Sequence, residues 1–234
     1  MLKLPEVTLI AVDTGNPDRT MLSIQKSTLD VEFGEVKLIT SDKFTDSLKD
    51  WNTVSNCDIE IDFVNSINSI EDYSRFCLKE MHKHFYTDFC LIIQHDSWVV
   101  NPDAWTPEFL EYDYIGAVWR WLYHAHKDTF GNPCGKVYQG NGGFSFRSKR
   151  LLESVAFSDV VQKFHPEDGW LCTVYDEYFK GLGFKWAPFE LCDKFSIESL
   201  PYYNFKSFGH HNGMGVPNPI VRIPQRMKNG YNNV

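Results

Sequence analysis

The chain has 234 residues, with 23 Lys plus Arg against 31 Asp plus Glu and a net charge of −8; it is long enough for one large α/β domain and carries no broad basic field to hold nucleic acid or an anionic membrane. The opening MLKLPEVTLIAVDTG lacks a basic region leading into a long apolar stretch, and nowhere do about 18 apolar residues run together, so the expectation is a soluble cytoplasmic protein with no membrane partner. Six cysteines (Cys57, Cys77, Cys90, Cys134, Cys172, Cys192) are spread without a CxxC pair, which predicts free, mostly buried thiols.

In chain order, VTLIAVD (7–13) is a β-branched run ending in Asp13, and TGNPDRT supplies turn chemistry with Pro17 placed to open a helix. VKLIT (36–40) reads as a strand ending at Ser41-Asp42, and CDIEIDFV (57–64) alternates as a half-exposed strand does. Ser69 with Asp72 three residues on resembles a capping box; Ile70, Tyr73, Cys77, Met81 and Phe85 follow at helical spacing and predict a helix over about 70–85. It leads directly into DFCLIIQHD, a buried strand ending in charge. This βαβ-like order predicts a mostly parallel sheet flanked by helices, with a ligand site outside the strands' carboxyl ends, where Asp13, Asp42 and Asp96 stand. Further on, YDYIGAVW and GGFSFRS read as strands, and 149–163 and 167–180 as helices. The Gly-, Pro- and Asn-rich end from Phe208 reads as a loop or tail that wraps a surface without building core.

Four stretches carry candidate chemistry, each with a plain alternative. Gln94-His95-Asp96 is either a solvated strand exit or part of a cation site, since a divalent ion bound with a nucleotide takes only one or two carboxylates. His210 and His211 in SFGHHNG are either surface histidines or ligands, provided the segment folds back over Asp96; His124, His126 and Asp128 rank below them. Asn141, Gly142 and Gly143 in YQGNGGFSFRS form an ordinary turn or leave room for a ligand against the backbone; neither GxGxxG nor a P-loop is present. Glu167 and Asp168 in FHPEDGW suit a helix first turn, and a carboxylate there would also serve to deprotonate an acceptor hydroxyl.

Taken in order, VTLIAVD, LIIQHDSWVVNPDAW, FLEYDYIGAVW, GNGGFSFRSKRLLE, HPEDGWLC, GFKWAPFELCDKFSIE and FGHHNG resemble a family of uncharacterised bacterial and viral proteins related to GT-A glycosyltransferases. The resemblance covers nearly everything after residue 86. It implies a GT-A fold in one domain: a nucleotide-binding half (1–100), an acceptor half (101–206) and a C-terminal loop or tail (207–234). Asp96 matches the last acid of the Asp-x-Asp motif that holds Mn²⁺ or Mg²⁺ and the diphosphate of a nucleotide-sugar, with Gln94 in place of the first acid and His210 or His211 as the late histidine. Asp13 and Thr14 match the loop that holds the nucleotide base; Gly142 and Gly143 match the segment beneath donor and acceptor; Glu167 and Asp168 match the acidic pair that binds acceptor and, in inverting members, supplies the general base, with Asp168 as the base candidate. The implied activity is transfer of a sugar, with UDP as the favoured nucleotide, to an acceptor hydroxyl. The other reading is a non-catalytic sugar- or nucleotide-binding module, which the loss of the first acid favours. A glycan or small metabolite is the expected acceptor. A viral member acting in host cytoplasm on a hydroxymethylated DNA base would need a basic groove from Lys127, Lys136, Arg147, Lys149 and Arg150. Trp98, Trp119, Trp121 and Trp170 are candidates for stacking on sugar or base.

Overall fold

The computed structural model describes residues 1–120, 137–202 and 206–228. The candidates His124, His126, Asp128, Trp121, Lys127 and Lys136 lie outside the described residues.

Four strands are parallel, in the order β3 (Glu60–Phe63), β2 (Val31–Thr40), β1 (Leu2–Val12), β4 (Phe89–Ile93). The sheet continues through β9 (Phe144–Ser148), antiparallel to β4, and ends at β6 (Tyr114–Ile115). Strand side chains alternate with a period of two, and here both faces are covered. Leu9, Ala11, Leu38, Leu91 and Ile93 enter one core with α1 (Pro17–Ser27) and α2 (Thr45–Asn52), while Ile10, Val12, Ile39, Cys90 and Ile92 enter another beneath α3 (Ile70–Lys79). The sequence reads as near-continuous apolar runs for this reason, and the α/β expectation with a mostly parallel central sheet holds. The larger core draws on both halves of the chain, from Leu4 to Phe109, Phe195 and Phe208.

The helices start where their caps stand and end earlier than their apolar spacing suggests. Pro17 opens α1, with Asp18 in the first turn and Lys26 in the last. Ser69 Oγ accepts from Asp72 N at 3.0 Å to open α3, which stops at Lys79 and gives way to a 3₁₀ turn, Met81–Lys83. Met81 and Phe85 are buried all the same, so their spacing marks core and not helix. The helix expected over 149–163 runs only over α4 (Lys149–Phe157). The one expected over 167–180 splits into α5 (Glu167–Thr173) and α6 (Asp176–Gly181), because the Trp170 carbonyl accepts from both Val174 N and Tyr175 N and the wider closure ends the first helix.

The end of the chain departs most from expectation. Gly209–His211 forms β11, the middle strand of a second sheet, parallel to β10 (Ser196–Glu198) on one side and antiparallel to β5 (Ser97–Val99) on the other. Phe208 is fully buried among Trp105, Phe144 and Phe195. Residues 207–211 therefore build core instead of wrapping a surface, since a strand paired on both edges satisfies its backbone internally. A further pair, β7 (Ala117–Trp119) with β8 (Tyr138–Gly140), leads into the glycine turn. Farther along, the Arg226 guanidinium grips Asp18 through two bonds of 2.7 Å and Asp50 at 2.9 Å, tying the chain end to α1 and α2. If Phe208 is core, Phe208→Ala should cost about 3–5 kcal/mol in urea denaturation. Ile220→Ala, at a residue 96% exposed, should stay within about 0.5 kcal/mol.

Candidate functional site

A cleft of about 400 Å³ opens at the carboxyl ends of β1 and β4. Its walls are Val12, Asp13 and Thr20, then Gln94 and His95, the pair Gly142-Gly143, the run His165–Asp168, and His211, closed on the remaining side by Ile70, Tyr73 and Ser74 of α3. An adjoining cavity of about 280 Å³, between 12–15 and 67–70, shares Val12, Asp13, Ile70 and Tyr73. The structure thus brings most of the expected residues together. Thr14 reaches only the smaller cavity, and Asn141 and His210 are buried behind the cleft wall.

Asp13 and Thr14 are engaged by their own loop. Asp13 Oδ1 accepts from Gly15 N (2.9 Å) and Asn16 N (2.8 Å), and Oδ2 from Thr20 Oγ1 (2.7 Å), an arrangement that fixes the entry into α1. Thr14 Oγ1 donates to Ile67 O (3.1 Å) and accepts from Ile67 N (2.9 Å), closing the loop before α3.

The QHD stretch is a turn, not a bare strand end. Ser97 N donates to Gln94 O at 3.2 Å, which sets His95 and Asp96 at the tip. Ser97 Oγ accepts from Gln94 N (2.7 Å) and donates to Gly143 O (2.5 Å), locking this turn to the glycine turn, while Gln94 Nε2 donates to Tyr73 OH at 3.0 Å. Asp96 stands beside the cleft, where its Oδ1 is buried without a hydrogen bond and lies 3.4 Å from His211 Nε2. Burial pushes the Asp96 carboxyl up, but the His211 and His95 charges outweigh it and hold it below its ordinary value. His211 Nδ1 donates to Glu198 Oε1 at 3.1 Å. Burial disfavours the imidazolium, yet the flanking Asp96 and Glu198 push His211 up to about 10. His210, on the other face of β11, packs edge-on to Trp98 at 4.2 Å, and burial drives it down to about 3. Of the two histidines, His211 is the one that meets Asp96.

Asn141 adopts a left-handed φ of 114° that asparagine tolerates better than most residues. Its Oδ1 accepts from Gly143 N (3.1 Å) and Phe144 N (2.9 Å), and its amide donates to Ser196 Oγ. Asp168 caps the turn from outside: Oδ2 accepts from Asn141 N (3.1 Å) and Gly142 N (2.7 Å), and Oδ1 from Gly169 N (2.8 Å). A Cβ on Gly142 would stand 2.8 Å from Glu167 Oε2, and one on Gly143 would meet the His211 ring, so both glycines permit close approach of functional side chains.

Glu167 Oε1 accepts from Arg147 Nη2 at 2.6 Å, with both side chains buried. Burial and the neighbouring Asp168 charge push Glu167 up to about 7 against the pull of Arg147. The Arg147 guanidinium lies over the Tyr114 ring at 5.3 Å, and its Nη1 has no hydrogen-bond partner. Of the described members of the basic groove, Arg147 is buried, Lys149 donates to Phe85 O, and the exposed Arg150 grips Asp113. Among the described residues no tryptophan lines the cleft, and its aromatic wall is Tyr73. Trp98 instead lies edge-on to His210, Trp119 donates to Glu198 and Trp170 donates to His165 O. Sequence reading missed Glu198, Arg147 as partner of Glu167, Tyr73, and the pair Ser74–His165, whose Oγ and Nδ1 lie 3.0 Å apart. The arginine inside FSFRS was the available signal, because a charge within an apolar strand is rarely buried without a partner.

The Mn²⁺ or Mg²⁺ implied by the resemblance can be tested against these residues. Asp96 Oδ1, buried and without a donor, faces an imidazole nitrogen, a hard oxygen and a borderline nitrogen that suit such an ion. Among the described residues no three His, Cys, Asp or Glu side chains converge as a cage. The pair therefore fits a cation that completes its shell from phosphate and water, and its binding requires His211 to lose a proton.

Two outcomes follow from these charges. Arg147→Met should cost about 3–5 kcal/mol by leaving Glu167 buried without its cation. The double variant with Glu167→Gln should lose less than the sum of the singles, and strict additivity in denaturant titrations would deny the coupling. The stability that protonated His211 contributes is complete below its unfolded value of 6.5 and is lost as pH rises through about 10. The metal-free protein should therefore melt progressively lower across that window. Glu167, shifted from 4.5 to about 7, acts mainly below it, and His211→Gln should flatten the slope.

No curated protein matches the chain. Among solved structures it is similar to 4-diphosphocytidyl-2C-methyl-D-erythritol synthase from Anaerococcus prevotii, at 16% identity over 77% of this chain and 86% of that one, with a TM-score of 0.43. It is also similar to the glycosyltransferase GlyE of Streptococcus pneumoniae (11% identity, 96% of this chain, TM-score 0.48), of whose length it spans 59%. Mouse xyloside xylosyltransferase 1 gives 9% identity over 93% of this chain and 100% of that one, with a TM-score of 0.49. Among the described residues no helix is long and apolar enough to cross a membrane. The family model described as "Protein of unknown function (DUF5672)" matches residues 58–216, and the chain belongs to that family.

Proposed function

We propose that this protein is a metal-dependent glycosyltransferase that moves a sugar from a nucleotide-sugar, with UDP as the favoured nucleotide, to an acceptor hydroxyl. The observation that carries the reading is the opposition of two acidic settings across Gly142-Gly143, with Asp96 and His211 on one side and Glu167 and Asp168 on the other. Among the described residues no Lys or Arg lines the cleft, whereas Asp13, Glu167 and Asp168 do. A diphosphate entering there needs a counter-cation, and the Asp96–His211 pair is where one fits. The ion, when bound, supplies Lewis-acid neutralisation of the departing diphosphate.

The protein's own residues divide the remaining work. Glu167, pushed up to about 7, is poised to take a proton from an acceptor hydroxyl near neutral pH. The oxygens of Asp168 are engaged by three backbone amides, and those of Glu167 by Arg147 Nη2 and Asp168 N; Glu167 is the better base because burial and the Asp168 charge raise it toward neutral pH. Asp13 and Thr14 set the loop beside the smaller cavity, which would receive the nucleoside. With Arg147, Lys149 and Arg150 engaged internally, a glycan or small metabolite suits the acceptor position better than DNA.

The competing reading is a non-catalytic nucleotide- or sugar-binding module, and the engagement of Gln94 with Tyr73, where a first acid would stand, favours it. A panel of UDP- and GDP-sugars with Mn²⁺ separates the two. The enzyme reading expects thermal stabilisation and slow donor hydrolysis, both lost in Asp96→Ala. Glu167→Gln should keep the stabilisation and lower hydrolysis about 100-fold or more. Stabilisation without hydrolysis by any donor supports the binding module, and neither signal sinks both.

A further inference from the structure

Glu198, which the sequence did not single out, holds the far edge of the His211 ring. Glu198 and His211 are direct partners across β10 and β11, and Ser199 N donates to His211 O at 3.1 Å, so one strand pair carries both side chains. The two oxygens of Glu198 are separately engaged: Oε1 accepts from His211 Nδ1 at 3.1 Å, and Oε2 accepts from Trp119 Nε1. The opposite ring nitrogen, Nε2, lies 3.4 Å from Asp96 Oδ1. Because Asp96 and Glu198 flank opposite edges of one imidazole, the two carboxylates cannot meet at a single ion beside it. This accounts for three acidic and imidazole groups in line that do not form a cage among the described residues. The ring face is fixed as well, since a Cβ at Gly143 would occupy the space of the ring.

We infer that Glu198 is the positioning carboxylate of this site: by accepting the Nδ1 proton it fixes the orientation and tautomer of His211, so that Nε2 presents its electron pair to a divalent cation shared with Asp96. The inference rests on the metal reading proposed above. On binding, the Nε2 proton leaves to solvent, the Nδ1 proton stays in its bond to Glu198, and Trp119 keeps the carboxylate from turning away. A partner of this kind on the far nitrogen raises the basicity of the ligating one, and its removal typically weakens a metal site by about 10–100-fold.

The test uses the full chain and Mn²⁺ alone, with binding read from the loss of the free-ion EPR signal. Wild type should bind, Asp96→Ala should abolish binding, and Glu198→Ala should weaken it about 10–100-fold. Glu198→Gln keeps an oxygen for the Nδ1 proton and should recover part of the loss; it also serves if the alanine variant does not fold. With Mg²⁺ bound, ¹⁵N shifts of His211 should report a protonated Nδ1 and an unprotonated Nε2 in wild type, and a mixture of tautomers in Glu198→Ala. If Asp96→Ala loses Mn²⁺ while both Glu198 variants bind within twofold of wild type, the role given to Glu198 is wrong and the metal pair stands. If wild type itself does not bind Mn²⁺, the metal reading falls and this inference with it.

Discussion

The site depends on one short strand. Gly209–His211 pairs with Ser196–Glu198 on one edge and with Ser97–Val99 on the other, so its backbone donors and acceptors are satisfied from both sides while Phe208, just before it, fills the larger core. Strand alternation then decides the fate of the two histidines. His210 faces Trp98 and is buried neutral; His211 faces Asp96 and Gly143 and is held charged between two carboxylates. Without this crossing, Asp96 would be the tip of a turn with no imidazole facing it.

Around that strand the protein treats its carboxylates in two ways. Asp13 and Asp168 accept backbone amides and act as local scaffolding, fixing the start of α1 and the glycine turn. Asp96 and Glu167, although Glu167 also accepts from Asp168 N, stand in unequal electrostatic company. Asp96 is held ionised by imidazolium, whereas Glu167 is pressed toward its neutral form by burial and by Asp168, with Arg147 as the opposing charge. Two acids set to different charge states across one cleft can bind a cation on one side and exchange a proton on the other. Gly142 and Gly143 let the two settings come within reach of the same small volume, because a side chain at either position would displace Glu167 or His211.

The differences between expected and observed elements share a cause. Met81 and Phe85 continue the apolar spacing of α3 beyond its last residue, because a residue is buried wherever the chain passes over core, whether or not the backbone remains helical. Where a local signal was chemical instead of periodic, it held: Pro17 opens α1 and Ser69 opens α3. The C-terminal stretch shows the converse. Its glycines, prolines and asparagines describe a turn-rich segment, and they do so correctly on either side of β11, but three residues suffice for a strand when two other strands wait to pair with it.

By itself the sequence determined the alternation of strands and helices up to Asp96 that implies a parallel sheet, the placement of Asp13 and Asp96 at strand ends, and the acidic pair at the start of α5. These rest on hydrophobic period and capping chemistry, which are local and legible over a few residues. Only the tertiary structure decided that His211 and not His210 meets Asp96, that Glu198 holds the other nitrogen of that ring, that Arg147 lies beneath Glu167, and that none of the described tryptophans lines the cleft. The physical reason is that each of these is a contact between segments distant in the chain. Its partner is chosen by strand register and by the space a glycine leaves open, and neither is written in the residues that flank the site.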